Sequence, residues 1–233
     1  VITVRVPFLV ELFRQLPEDV AEAGEDTDRA DDQFCLQSFR GSVLDRYSEG
    51  TLQRLLASGN APTRRAAVLA LGLVGTLQSN EALAARLRDD DPAVRRLAAN
   101  ALWSVWFRGG SDTQNHELRQ IVHQRSLVRV LSGLNRLVLS APGFAEALNQ
   151  RAIAHFRLGE YRKAVADCEK VVELNPYHFG AQAGMAQCFL KLRQPLAALK
   201  AFRQALRINP NLDGVEATVR ALEEALGEEG RKE

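Results

Sequence analysis

Laying Asn175-Pro176 over Asn209-Pro210 brings the two segments that these pairs close into register. Ala152 then falls on Ala186, Ala164 on Ala198, Cys168 on Phe202, Val171 on Ala205 and Leu174 on Ile208. The period, about 34 residues, is that of one helix–turn–helix unit, which cannot bury its apolar face alone and must stack on neighbours. Stacked units form a quasi-one-dimensional array whose usual product is a long binding surface. The period therefore points to recognition before any polar side chain is weighed.

A second, shorter period occupies the middle of the chain: Leu52 overlays Leu83, Leu56 overlays Leu87, Arg64-Arg65 overlays Arg95-Arg96, and Ala70-Leu71 overlays Ala101-Leu102. Each unit reads as a short helix, a polar turn and a longer helix opened by Pro62 or Pro92. Proline suits the first helical turn, where its missing N–H has no partner to lose. Asp91, just before Pro92, supplies an N-cap acceptor. With no alternation of β-branched residues after Pro17, the expected class is all-α.

The run Asp91-Pro92-Ala93-Val94-Arg95-Arg96-Leu97-Ala98-Ala99-Asn100-Ala101-Leu102 resembles the D-P-x-V-R-x-x-A-x-x-A-L signature of HEAT-like repeats, and Thr63–Gly72 is a second copy. The longer-period units Ala145–Tyr177 and His178–Asn211 resemble tetratricopeptide (TPR) repeats, with Gly159-Glu160-Tyr161 and Arg193-Gln194-Pro195 at the inter-helix turns. A degenerate third copy can be placed at Ser111–Gly143, since Pro142 lies one full period before Pro176, and its first helix, Ser111–Gln124, is also the right distance after Ala93–Phe107 to be the second helix of a HEAT-like unit. Asp213–Gly227 is the expected closing helix. The resemblance implies an α-solenoid of antiparallel helix pairs, a HEAT-like array continuing into a short TPR array with a capping helix. The expected divisions are 1–32, an apolar N-terminal segment and flexible acidic linker; 33–110, HEAT-like repeats; 111–227, the TPR array; and 228–233, a charged tail. Trp103 and Trp106 are expected at the junction of the two arrays.

Glu18–Asp32 carries eight acidic residues against Arg29, and such a stretch self-repels and buries little. It is a candidate internal competitor for a basic groove. Val1–Pro17 is apolar but broken by Arg5, Pro7, Glu11 and Arg14, which reads as the tail of something upstream or a short amphipathic helix over Pro7–Gln15. No run of 18 apolar residues occurs, so no membrane span is expected. Cys35, Cys168 and Cys188 are odd in number and widely spaced, which favours a reducing, cytoplasmic setting.

The net charge of +1 gives no global pull toward nucleic acid. Nucleophile-elbow and phosphate-loop motifs are absent from the sequence, so a non-enzymatic protein without cofactor is expected. His155 and Cys168 fall on adjacent helices of one repeat and read first as core residues, as does Cys188. One arginine of each of the pairs Arg64-Arg65 and Arg95-Arg96 is expected to bond acidic or carbonyl groups of the neighbouring repeat, with Asp89, Asp90 and Asp91 nearby; the second reading is a phosphate-binding ladder. In TPR arrays the concave wall is lined by the first helix of each repeat. That resemblance implies a partner-binding set of Asn115, Arg119 and His123; Asn149, Ile153, Phe156 and Arg157; and Ala183, Gln187 and Lys191. The positions recur at i, i+4 and i+8 and share one helix face. From Gln150 to Pro210 ten Lys or Arg stand against four Asp or Glu, in keeping with an acidic protein or peptide partner. A full carboxylate clamp is missing, because Ala183 and Gly184 stand where polar groups are wanted. The function expected is a protein–protein interaction scaffold or adaptor. The alternatives are cofactor handling of the kind the HEAT-like units of bilin lyases suggest, and nucleic-acid binding.

Overall fold

The computed structural model describes residues 7–17, 20 and 30–229, and all the regular structure among them is helical. The chain divides into two compact units, residues 1–106 and 107–233. Both tryptophans that were expected at the junction belong to the first unit.

In the first unit, α1 (Phe8–Arg14) and α2 (Ala30–Arg46) pack on α4 (Ala61–Val74), to which α3 (Glu49–Leu55) is also paired. Helix α1 fills the place expected for an amphipathic helix. Its Leu9 and Val10 are fully buried, and the Leu9 N–H donates to the Tyr47 hydroxyl at 2.9 Å. The acidic stretch read as a linker lies largely outside the described residues. Its last two members are helical: Asp31 and Asp32 sit in the first turn of α2, where a carboxylate favours the exposed N–H groups. The fold-back of this stretch onto a basic groove likewise lies outside the described residues.

Two short–long helix pairs follow the shorter period: α3 with α4, then α5 (Asn80–Ala85) with α6 (Pro92–Phe107). Asn60 caps α4 through the Thr63 N–H, and Asp91 caps α6 through the N–H groups of Ala93 (2.8 Å) and Val94 (3.3 Å). Helices α4 and α6 approach closely because Gly72 faces Ala101: a Cβ on Gly72 lies only 3.1 Å from the Ala101 Cβ. The buried Trp106 donates its indole N–H to Asn80 at 2.8 Å and packs edge-on against Trp103.

Three of the paired arginines, Arg64, Arg65 and Arg95, are struts. Arg64 binds Asp89 through two nitrogens, at 2.8 and 2.6 Å, and reaches the Ser58 carbonyl at 2.9 Å. Arg65 binds Asp91 at 3.0 and 2.5 Å. Arg95 donates to the carbonyls of Asp89 and Asp90, and Arg86 donates to both Asp89 and the Leu56 carbonyl. Asp89, 7% exposed, is thus the hub that ties the first pair to the second.

The second unit is a run of antiparallel hairpins: α7 (Asp112–Val122) with α8 (Leu127–Ser140), α9 (Ala145–Arg157) with α10 (Tyr161–Leu174), and α11 (Phe179–Lys191) with α12 (Pro195–Ile208). Helix α13 (Val215–Glu229) packs on α12. Leu134 and Leu137 are fully buried in α8, and Cys168 and Val171 hold the corresponding places in α10. In α13, Val219 is buried while Glu216, Glu223 and Glu224 face water. The Asn-Pro punctuation has a local cause: Asn175 accepts the Tyr177 N–H and Asn209 the Asn211 N–H, closing an Asx turn after each hairpin.

The turn inside each of the two later hairpins needs one left-handed residue. Gly159 supplies it at φ 76°, and Arg193, its counterpart in the next repeat, is forced to φ 57°. Both turns then close by a six-to-one hydrogen bond, Glu160 N–H to His155 O and Gln194 N–H to Phe189 O, each at 2.9 Å. A side chain in this conformation costs about 1 kcal/mol. Arg193→Gly is expected to raise stability by roughly that amount, less the added chain entropy, as read from the urea midpoint.

Candidate peptide-binding face

The first helices of the three hairpins are α7, α9 and α11, and local chemistry fixes the N-termini of two of them. A Ser111–Gln114 capping box opens α7, and the His178 ring accepts the Ala181 N–H at 3.0 Å to open α11. On the shared face, Arg119, His123, Arg157, Gln187 and Lys191 are exposed, and Ile153 is 43% exposed. Phe156 is half-buried, its ring edge-on to Tyr161 with centroids 5.4 Å apart, and Ala183 is half-buried as well.

His123, Arg157 and Lys191 occur at successive repeat steps, so one base-bearing position recurs in each hairpin. Among the described residues Arg119, Arg157 and Lys191 make no ion pair. Arg151, Lys163, Lys170 and Arg203, by contrast, are held by Asp167, Glu160, Glu173 and Glu223. The His123 ring bonds the Arg119 carbonyl at 2.6 Å.

Asn115 and Asn149 have the expected register but are buried, at 5% and 3% exposure. Asn115 reaches back to the turn before α7, accepting the Gly110 N–H at 2.9 Å and donating to the Gly110 carbonyl at 3.1 Å. Short amides near a helix start favour such local backbone partners. Asn149 donates to Glu146 at 3.1 Å. These two side chains are spent on internal hydrogen bonds, while Arg119, His123, Arg157, Gln187 and Lys191 are exposed.

Sequence reasoning did not find the buried cluster around Glu146. Glu146, 1% exposed, accepts from Gln150 at 2.6 Å and Asn149 at 3.1 Å, and faces Nε2 of the fully buried His178 at 3.0 Å. Because His178 Nδ1 accepts the Ala181 N–H, the ring's proton lies on Nε2 and is donated to Glu146. The pair joins α9 of one hairpin to the N-cap of the next. A second network braces α9 to α10: Arg151 binds Asp167 at 2.8 and 2.6 Å, and His155 binds Glu160 at 2.6 Å. The Lys163 and His155 hydrogen bonds hold the Glu160 carboxyl below its ordinary range.

His155 is engaged by these carboxylates, 3.9 Å from Asp167 on its other side. Burial pushes the Cys168 thiol up to about 12 and the Cys188 thiol up to about 11, far from the thiolate form that nucleophiles and metal ligands need. Among the described residues no group of three or more His, Cys, Asp or Glu is disposed to hold a metal ion. No helix among them is long and apolar enough to cross a membrane.

The family model for HEAT repeats matches residues 48–129, and tetratricopeptide models match residues 145–178 and 180–212. This chain carries HEAT repeats followed by TPR repeats. The HEAT match runs past residue 110, the expected division, and takes in α7. The chain is 32% identical over 126 residues to a TPR repeat-containing protein of Rhizobium etli. That match covers 53% of this chain and 62% of the relative's length. Among solved structures, the first TPR domain of Spaghetti (RPAP3), bound to the HSP90 peptide SRMEEVD, is similar at 21% identity and TM-score 0.46, covering 49% of this chain and 91% of that one. The Sgt2 TPR domain from Aspergillus fumigatus is similar at 17% identity and TM-score 0.45, covering 52% and 81%.

Proposed function

We propose that this protein is an interaction scaffold whose TPR hairpins recognise an acidic protein or peptide segment along the face of α7, α9 and α11. The observation that carries this reading is the recurrent, unpaired positive charge of Arg157 and Lys191, with Arg119 one hairpin earlier, beside the exposed Ile153. A ligand carboxylate meets these groups without displacing an internal partner, and Ile153 and Phe156 offer apolar contact between them. Extended-peptide or helix docking is the corresponding mode. Nucleic-acid binding is disfavoured because Arg64, Arg65 and Arg95, the arginines best placed to meet phosphates, are engaged with Asp89, Asp91 and nearby carbonyls.

Fluorescence anisotropy with two labelled peptides of equal length, one glutamate-rich and one neutral, tests the charge argument. Arg157→Glu is expected to weaken the glutamate-rich peptide by about tenfold and the neutral one by less than twofold. Raising the salt should shrink the difference, because exposed charges are screened. Equal weakening of both peptides counts against an acidic partner.

A further inference from the structure

The second helix of the first TPR-like hairpin, α8, turns a different kind of surface to water. Val128 and Leu139 are 72% and 85% exposed and are separated by close to three full helical turns, so they stand on one line about 16 Å long. Half-buried Leu131 edges that line, exposed Ser132 and Asn135 run along it, and exposed Arg129 and Arg136 form its other edge. Exposed Arg125 lies just before the helix. Among the described residues these three arginines make no ion pair, and no acidic residue occurs between Glu117 and Glu146.

The next hairpin shows that this is local. At the equivalent positions one repeat later, α10 carries Arg162, Lys163, Ala166, Glu169, Lys170 and Glu173, and there Lys163 and Lys170 are paired with Glu160 and Glu173. A strip that is basic and apolar on α8 thus becomes a self-neutralised, polar face in the following hairpin.

We propose that the outward face of α8 is a second docking surface, which takes an acidic amphipathic α-helix of a partner protein laid along it. The strip is one helix wide, and a helix with its side chains is about 10–12 Å across. A planar anionic lipid surface extends over neighbouring helices and so meets Glu169 and Glu173 of α10. A nucleic-acid backbone leaves Val128 and Leu139 in water, and the strip offers no aromatic face for a base. An amphipathic helix satisfies both edges at once, apolar residues on Val128, Leu131 and Leu139, carboxylates on Arg129 and Arg136.

The probe is a designed helical peptide of about five turns with leucines on one stripe and glutamates along one flank. A scrambled peptide of the same composition is the control. Anisotropy is measured on the full chain, on an Arg129→Glu/Arg136→Glu variant, on a Val128→Ser/Leu139→Ser variant and on Arg157→Glu. All of these positions are surface sites, and circular dichroism confirms that each variant folds. The designed peptide is expected to bind at least about tenfold more tightly than the scrambled one, since several exposed ion pairs and the apolar stripe act together. Both α8 variants should lose that preference, and Arg157→Glu should keep it, which separates this surface from the α7–α9–α11 face. Equal binding of the two peptides, no binding of either, or loss in Arg157→Glu alone overturns the proposal. So does co-sedimentation with phosphatidylglycerol vesicles that disappears in the α8 variants while the designed peptide fails to compete.

Discussion

Replacing Asp89 with alanine should cost about 3 kcal/mol of stability, because it leaves the partly buried Arg64 and Arg86 guanidinium groups without their counter-charge. Asp89 is 7% exposed, and its carboxylate receives Arg64 through two nitrogens, Arg86 at 3.1 Å and the Asp91 N–H at 3.1 Å. Removing it strands all of these at the seam between the two HEAT pairs. The loss can be followed by tryptophan fluorescence during urea unfolding, since Trp103 and Trp106 both lie in the same unit as Asp89. The pH dependence has a definite sign. Burial by itself raises the Asp89 carboxyl, but the Arg64 hydrogen bonds, the Asp91 N–H and Arg86 outweigh it and hold the group below its ordinary value. The same contact holds Arg64 above its own. A depressed carboxyl contributes stability that is complete above the unfolded value, about 3.9, and is lost as pH falls through the folded value. The wild-type chain should therefore lose stability more steeply than Asp89→Ala as pH drops below about 4. Parallel acid limbs for the two proteins would count against this role of the hub.

Glu146→Ala should have an effect of similar size in the TPR unit, about 3 kcal/mol, because the His178 Nε2–H and the amides of Asn149 and Gln150 lose their common acceptor inside the fold. Glu146→Gln keeps one acceptor oxygen, which serves either the two amides or the His178 Nε2–H while its NH2 faces the other donor, and so should recover only part of the loss. Hydrogen exchange of the backbone amides in α9 and α11 is the suitable readout, because His178 also caps α11 through Ala181. Protection should fall at the start of α11 as well as in α9. A change confined to α9 would show that the pair does not couple the two hairpins.

The hairpins themselves were legible in the sequence because apolar residues on packed helix faces repeat with the architecture. Ala152 and Ala186, Leu134 and Leu137, and Val219 are all buried where the periods place them. The Asp91-Pro92 start of α6 was legible for a local reason, since an N-cap works within one turn. The acidic partners of Arg64 and Arg65 were within reach because, although 25 and 26 residues away, they stand out as a run of three aspartates at the turn of the next unit. The Glu146–His178 pair was not legible. The repeat overlay maps Glu146 onto Gly180 and Phe144 onto His178, so the pair joins positions that the overlay never compares. Asn115 and Asn149 misled for a related reason. Helical spacing assigns them to the exposed face, but it does not register that a short amide near a helix start folds back onto backbone or onto a carboxylate one turn earlier.

Both large effects arise at seams, Arg64 with Asp89 between successive HEAT pairs and Glu146 with His178 between successive TPR hairpins. Repeat arrays are usually thought to gain or lose units freely, as beads are added to a string. At these two seams one unit holds half of a bond whose other half belongs to its neighbour. Excising one hairpin, or copying it in tandem, brings a half-bond against a surface that lacks its complement. The neighbours at these two seams are consequently matched by chemistry, and exchanging either unit leaves a polar group without its complement.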